Sequence, residues 1–349
     1  MVGQLAPGKQ SELDTYEWEE AEVYGEQRYK CHDCPFTIFN KPLVMEEHCR
    51  RNGHGIVPYG GLTLESYVET TPHKLTYSVN ITLGYLCWNT AQISAEGVAA
   101  LVRESERLGK LGCNVQIVIL DNGSTDDTFH KTHKSLGTHP AELIRNVRNF
   151  GISPARNQIL DAALDRGSHY VLLMDGDIEV VPLSVFQMVR YLECHPTLGC
   201  IGAYSSNCTP DRLRTTAALY EIPESRVKHD IRCAWTQYGL FRCKMFQHGM
   251  IRFDEDGPFG EPGWGYEDDD LYWQMQSLGW GNKYFSGMTY LHRAIHSSFK
   301  LLKKDGVSLE KMFQRRKEYL LTKLRKRGVD ESVLQGIEAQ SLPKEKVSA

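Results

Sequence analysis

Three short apolar runs constrain this chain more than any other feature. Tyr77 to Cys87, Val115 to Leu120 and Val171 to Met174 carry no charged residue, and each breaks abruptly into polar sequence. The first stops at Trp88-Asn89-Thr90, the second at Asp121-Asn122-Gly123-Ser124, the third at Asp175-Gly176-Asp177. A strand buried on both faces of a parallel sheet reads as a continuous apolar run, and ligands gather at the carboxyl ends of such strands. Helical patterns fill the gaps. Residues 94–109 place Val98, Leu101 and Leu108 behind a Ser94 cap; Ser124 with Asp127 caps a second helix; Ser153 followed by Pro154 opens a third, which ends at Gly167. Ala141–Asn146 and Gly199–Tyr204 add strands, Pro182–Cys194 adds a helix, and the chain then turns irregular and antiparallel up to about Phe253. This alternation predicts an α/β fold, a Rossmann-like and mostly parallel sheet with flanking helices.

Composition narrows the function classes. A net charge of −4 over 349 residues gives no global basic footprint for nucleic acid. Local charge is uneven: residues 1–27 hold seven acids against Lys9, and residues 310–328 hold eight bases against two acids. The first stretch reads as a disordered acidic lead. No leader-length apolar segment and no 18-residue apolar run occur, so the expectation is a soluble, unsecreted chain with no transmembrane segment.

Near the start, Cys31-x2-Cys34 is followed after thirteen residues by His48-x5-His54. That set suits one tetrahedral structural Zn²⁺, with Phe39 and Met45 as a small core beneath a ββα unit. Residues 28–55 resemble a C2H2 zinc finger, and a linker at 56–76 follows. The finger is as well suited to stapling the fold or docking protein as to reading nucleic acid, since one finger supplies little affinity.

Two acidic clusters lie further on. Asp175-Gly176-Asp177 is either a solvated turn or a pair of hard oxygen ligands for Mg²⁺ or Mn²⁺. Glu267-Asp268-Asp269-Asp270 is either a solvated acidic run or the first turn of a helix continued by Leu271, Met275 and Leu278, where a carboxylate against the aromatic wall of Trp264, Tyr266, Tyr272 and Trp273 can act as general base.

Five motifs then stand in one order: ILDNGSTDDT at 119–128, NFGISPARN at 149–157, LLMDGDIE at 172–179, GWGYEDDDL at 263–271 and YLHRAIHSS at 290–298. Over residues 77–304 the chain resembles family 2-like GT-A glycosyltransferases. GWGYEDDDL is also similar to the corresponding stretch of β-1,4-galactosyltransferases and polypeptide N-acetylgalactosaminyltransferases. The resemblance implies an inverting, metal-dependent transfer from a nucleotide sugar, expected to be a UDP-sugar, to an acceptor hydroxyl. Asp175 and Asp177 match the DXD motif that holds Mn²⁺ or Mg²⁺, with Asp177 the more direct ligand. His292, or in second place His296, matches a late metal ligand. Asp121, with Asn89 and Asn122, matches the nucleotide-contacting end; Arg156 and Asn157 match the pocket-lining pair; Trp264 joins the donor-contacting set. Asp268 matches the base and Glu267 a hydroxyl-binding partner, while Asp269 could take the base role because the four-acid run leaves the register open. Three departures stand out: GYLCWN replaces the usual Pro near the first strand's end; Tyr266 stands where galactosyltransferases have Gly, so their donor specificity does not transfer; and no Golgi-type membrane anchor is present, so the expectation is a cytoplasmic enzyme of bacterial or viral type.

The remaining stretch, 305–349, carries a basic amphipathic helix at Ser308–Arg327, with Phe313, Leu320 and Leu324 on one side. It either docks on the catalytic domain or contacts a phosphate backbone or anionic membrane. The finger and tail allow a macromolecular acceptor, modified nucleic acid first and protein or polysaccharide next. Competing readings are a zinc-finger nucleic-acid-binding protein with a non-catalytic GT-A domain, and a nucleotidyltransferase, which lacks a glycine-rich phosphate loop here.

Overall fold

A computed structural model describes residues 21–23, 26–30, 37–39, 78–180, 184–206, 217–218, 227–228, 236–291, 297–304 and 306–339. The strands are β1 (Ala21–Val23), β2 (Glu26–Lys30), β3 (Thr37–Phe39), β4 (Val79–Cys87), β5 (Cys113–Asp121), β6 (Ala141–Arg145), β7 (Tyr170–Asp175), β8 (Leu198–Ser206), β9 (Ala217–Ala218), β10 (Val227–Lys228), β11 (Tyr238–Arg242) and β12 (Gly281–Leu291). The helices are α1 (Ala91–Lys110), α2 (Thr128–Leu136), α3 (Ile152–Asp165), α4 (Ser184–Cys194), α5 (Glu267–Ser277), α6 (Ser297–Lys304), α7 (Leu309–Lys326) and α8 (Glu331–Glu338).

Eight strands form the main sheet in the order β10-β12-β8-β11-β7-β4-β5-β6. The β7-β4-β5-β6 half is parallel throughout. On its other side β11 enters antiparallel to both β7 and β8, while β12 runs parallel to β8. A separate small sheet orders β1-β2-β3-β9.

The apolar runs are buried on both faces, as a parallel sheet requires. Ile117, Ile119, Leu172 and Met174 face one core with α1 and α4, where Val98, Leu101, Phe186 and Leu192 pack. Val118, Leu120, Val171 and Leu173 face the other, with Ile159 and Leu160 of α3 and Leu271 and Met275 of α5. Gly84 of β4 lets α3 approach: a Cβ there would sit 2.3 Å from Ile159 Cγ2. A third cluster joins Phe259 to Leu320, Leu321 and Leu324 of α7 and to Leu334 and Ile337 of α8. Each fully buried leucine contributes roughly 1.5–3 kcal/mol, so the tail helix is docked on the domain through its apolar stripe.

Several expected helix starts move. α1 begins at Ala91, so Ser94 lies inside it, where its hydroxyl pairs with Thr90 Oγ1 and reaches Gly176 O. α2 is opened by Asp126, whose Oδ1 accepts from the Thr128 amide at 2.9 Å, while Ser124 Oγ accepts from the Asn89 amide instead. α3 begins at Ile152 behind Gly151, whose φ of 94° and close approach to Glu261 O leave no room for a side chain. Leu278 falls after the end of α5 and is exposed rather than part of its apolar face. Among the described residues no helix is long and apolar enough to cross a membrane.

Candidate active site

Strand register brings the polar breaks to one edge. Cys87 pairs across from Asp121, Asp121 from Arg145, and Leu86 from Asp175. The carboxyl ends of β4, β5, β6 and β7 therefore share a rim, where an open α/β sheet binds its ligand. Because β11 runs the other way, its start lies at the same rim: Tyr238 pairs with Met174, and Asp175 N donates to Gln237 O at 3.0 Å.

The Asp175-Gly176-Asp177 turn is pinned from beneath. Gly176 O accepts from Tyr85 Oη at 2.8 Å and Ser94 Oγ at 2.9 Å. A Cβ on Gly176 would lie 2.7 Å from Cys87 Cα, Cys87 Cβ and Leu86 O, so glycine here is dictated by backbone packing against β4. Asp175 and Asp177 stand half-buried on either side of it.

At the β5 end, Asp121 is fully buried. Its Oδ1 accepts from Ser124 N at 3.0 Å; its Oδ2 lies 3.5 Å from Arg145 Nε and has no hydrogen-bond partner. Asn89 and Asn122 tie loops together. Asn89 Oδ1 accepts from Thr125 N at 2.8 Å, and Asn122 Nδ2 donates to Asn149 Oδ1 and Gly151 O, both at 3.0 Å. Asn157 likewise braces: its Nδ2 donates to Phe253 O at 2.8 Å and Glu255 Oε1 at 2.6 Å, and its Oδ1 accepts from Phe253 N. Asn157 holds the segment after β11 against α3.

Arg156 is the centre of the arrangement. It sits at the start of α3, 2% exposed. Its NH2 donates to Asp175 Oδ1 at 3.1 Å, and its NH1 donates to Glu267 Oε1 at 3.2 Å and Asp268 Oδ1 at 3.0 Å. One guanidinium thus joins the two acidic clusters, 92 residues apart between Asp175 and Glu267. Burial alone would lower its pKa, but Asp175, Asp268 and Glu267 outweigh burial and raise it. The site keeps a full positive charge among these acids.

The second cluster divides by direction around the helix. Glu267 and Asp268 face Arg156; Asp268 also accepts from the Thr236 hydroxyl. Asp270 faces away, accepting from Lys323 Nζ at 2.7 Å and Arg327 NH1 at 2.9 Å of the tail. Burial first, then the charge of Glu267, pushes the Asp268 carboxyl well above the usual range; the same two causes push Asp269 up to about 7. The turn leading in is shaped by α7. Gly263 and Gly265 have φ of 122° and 111°, and Cβ atoms there would meet Met312 Sδ at 2.4 Å and Phe313 Cε1 at 2.6 Å. Trp264 stands edge-on to Phe313 at 6.1 Å, in a cluster that also takes in Trp88 and Tyr266.

Asp175 and Asp177 offer hard oxygen donors, which suit Mg²⁺ or Mn²⁺. Among the described residues no group of three or more His, Cys, Asp and Glu is placed to hold a metal. His292 and His296 lie outside the described residues, as do Cys31, Cys34, His48 and His54.

Sequence reasoning missed Thr236, Tyr85 and Arg316. Arg316 lies behind Glu267, its NH1 3.8 Å from Oε2. A signal for it existed: positions 316 and 317 fall on the Phe313, Leu320, Leu324 stripe of the tail helix, so one of them had to turn inward.

Residues 87–250 match the family model described as Glycosyl transferase family 2. Over 201 residues the chain is 25% identical to a hyaluronan synthase of Pasteurella multocida, covering 57% of this chain but only 19% of that protein. Among solved structures, it is similar to the mannosyltransferase PcManGT of Pyrobaculum calidifontis (TM-score 0.52, 16% identity, 85% of this chain and 76% of that one). It is also similar to residues 1–349 of S. aureus TarS (TM-score 0.51, 14% identity, 75% of this chain and 71% of that one). At these identities the structural likeness shows the fold, an α/β GT-A-like one. Together with the family match, it gives this chain a glycosyl transferase family 2-like domain over residues 87–250, set on a GT-A-like fold.

Proposed function

We propose that the chain is a metal-dependent, inverting glycosyltransferase that moves a sugar from a nucleotide-sugar donor to an acceptor hydroxyl. The observation that carries this is the Arg156 bridge, which puts Asp175 and the Glu267-Asp268 pair in one site. Similar proteins lend support: PcManGT was solved with GDP-Man and Mn²⁺, and TarS with UDP-GlcNAc. Asp121, buried with Oδ2 lacking a hydrogen-bond partner, is suited to a donor group on the nucleotide base, with Asn89 and Asn122 shaping that loop. Asp177, with Asp175, would hold Mn²⁺ or Mg²⁺, completed by the diphosphate and by His292 or His296. When bound, the cation supplies positive charge to the departing diphosphate.

Asp268 is the better base of the two candidates, because it shares Arg156 with Asp175 whereas Asp269 lies one helical position further round. Its raised proton affinity suits the role. Asp268 takes the proton of the acceptor hydroxyl; the oxygen attacks the anomeric carbon from the face opposite the diphosphate. The bond to the diphosphate oxygen breaks, its electron pair leaves with that oxygen, and the configuration inverts. Glu267 and Trp264 border the sugar and acceptor side.

The test is Mn²⁺-supported hydrolysis of UDP-glucose, UDP-galactose, UDP-GlcNAc, UDP-GalNAc and GDP-mannose by wild type, Asp177→Ala and Asp268→Asn. Turnover of one donor, lost on chelation and in both variants, is expected. Turnover equal in all three proteins would sink the assignment. The proposed acceptor is a macromolecule, modified nucleic acid ahead of protein or polysaccharide; sugar label that stays on protein after full nuclease digestion would end the nucleic-acid proposal.

A further inference from the structure

We propose that Arg316, on helix α7 beyond the family-matched segment, is a positioning residue that holds Glu267, and through it the base-bearing turn, for transfer. The inference rests on the transfer reading above. Glu267 is 3% exposed and anionic chemistry is asked of its neighbour, so what flanks it matters. On one side Oε1 accepts from Arg156 NH1 at 3.2 Å. On the other, Oε2 accepts from Gly265 N at 2.5 Å and faces Arg316 NH1 at 3.8 Å. The carboxylate therefore sits between two buried guanidiniums, one from α3 and one from the tail.

Arg316 is built for this place. It is 1% exposed, its NH2 donates to Glu261 O at 2.9 Å, and its guanidinium lies over the Phe259 ring at 5.8 Å. Its NH1 is buried with no hydrogen-bond partner. A buried, unpaired guanidinium N–H costs free energy unless a carboxylate answers it. Glu267 Oε2 is the carboxylate that faces it. At 3.8 Å the contact is an ion pair and not yet a hydrogen bond; a closure of about 1 Å would make it one. The surrounding packing keeps this register. Met312 and Phe313, one turn earlier on α7, fill the spaces that Gly263 and Gly265 leave open. The Glu261 carbonyl that Arg316 grips is the same one that Gly151 packs against at the start of α3. Arg316 thus connects the tail to the turn before α5 and to the loop before Arg156.

The test compares wild type, Arg316→Gln, Arg316→Lys and Lys323→Gln. Lys323 lies on the same helix and holds Asp254 and Asp270, so its loss loosens α7 without touching Glu267. Two readouts are taken: Mn²⁺-supported hydrolysis of the donor panel, and hydrogen exchange of the segment containing the Gly265 amide. Arg316→Gln is expected to lower kcat about 10²-fold through misplacement of the site while the donor KM changes little. It is also expected to speed exchange at Gly265 about tenfold or more, because the amide's bond to Glu267 loses its backing. Arg316→Lys restores part of both, and Lys323→Gln lowers stability with kcat near wild type. Wild-type kcat and wild-type exchange in Arg316→Gln would overturn the proposal, as would equal losses in Lys323→Gln. If wild type hydrolyses no donor, the transfer reading fails, and Gly265 exchange alone then decides the positioning role.

Discussion

Gly176→Ala is the sharpest probe of how Asp175 and Asp177 are placed. Gly176 is not in the left-handed region, so alanine meets no backbone strain and the effect is steric. The new Cβ would stand 2.7 Å from Cys87 Cα, Cys87 Cβ and Leu86 O, all fixed in β4 or its end. Ordinary contact begins near 3.4 Å, so the turn must retreat by about 0.7 Å. That retreat stretches both bonds to the Gly176 carbonyl, from Tyr85 and Ser94, each worth about 1 kcal/mol. Unfolding free energy should therefore fall by about 2 kcal/mol. Displacing Asp175 and Asp177 by this amount should lower donor turnover by about 10- to 10²-fold. The assay is urea unfolding beside a Mn²⁺ titration of donor hydrolysis, in which half-saturation should move to higher Mn²⁺. Gly109→Ala is the control: nothing lies within 4 Å of its Cβ on α1, and it should stabilise by about 0.5–1 kcal/mol. A Gly176→Ala protein with wild-type stability and Mn²⁺ dependence would refute the packing argument.

Three further outcomes follow from the same site. Arg156→Met leaves Asp175, Glu267 and Asp268 without their shared cation, and should cost about 3–5 kcal/mol in urea unfolding at neutral pH; a change under about 1 kcal/mol contradicts the bridge. Asp269 titrates near 7 in the fold against about 3.8 unfolded, so folding takes up a proton between these values. Its contribution is full below about pH 4 and is lost as pH rises through 7; Asp269→Asn should therefore be more stable than wild type at pH 8, with the difference shrinking towards pH 4 in paired melts. Tyr85→Phe removes one of the two bonds to Gly176 O and should cost about 1 kcal/mol, with a smaller loss of turnover than Gly176→Ala; equal losses in the two variants would show that steric displacement is not what matters.

Much of this was readable in advance, for reasons that differ by residue. The strands ending at Cys87, Asp121 and Asp175 were legible because burial on both faces demands unbroken apolar runs. The pairing of the two acidic clusters was legible only through motif order, since nothing local in the run at 267–270 says which acid turns inward. That choice is made by partners far away: Arg156 and Thr236 take Asp268, while Lys323 and Arg327 take Asp270. Helix starts shifted for a similar reason. Ser94, Ser124 and Ser153 are good caps in isolation, yet Ser94 and Ser124 are drawn to Gly176 O and the Asn89 amide. The need for glycine at 176 was not legible, because it comes from the backbone of β4, which a Cβ there would meet at 2.7 Å.

The antiparallel entry of β11 beside β7 has a consequence for biosynthesis. The strand that ends in Asp175 receives its outer neighbour only from residues 238–242, while the acid proposed as base comes from residue 268 and the backing of Glu267 from residue 316. As the chain grows from its amino end, 141 residues must follow Asp175 before Arg316 exists. At roughly 5–20 residues per second that is about 7–28 s. For the first 67 of those residues, until Arg242 is made, β7 presents an open apolar edge, and the acids around Arg156 are not all present until Asp268 is. The proposed site is thus completed late in synthesis, and the apolar edge of β7 is the surface a nascent chain must keep from wrong partners.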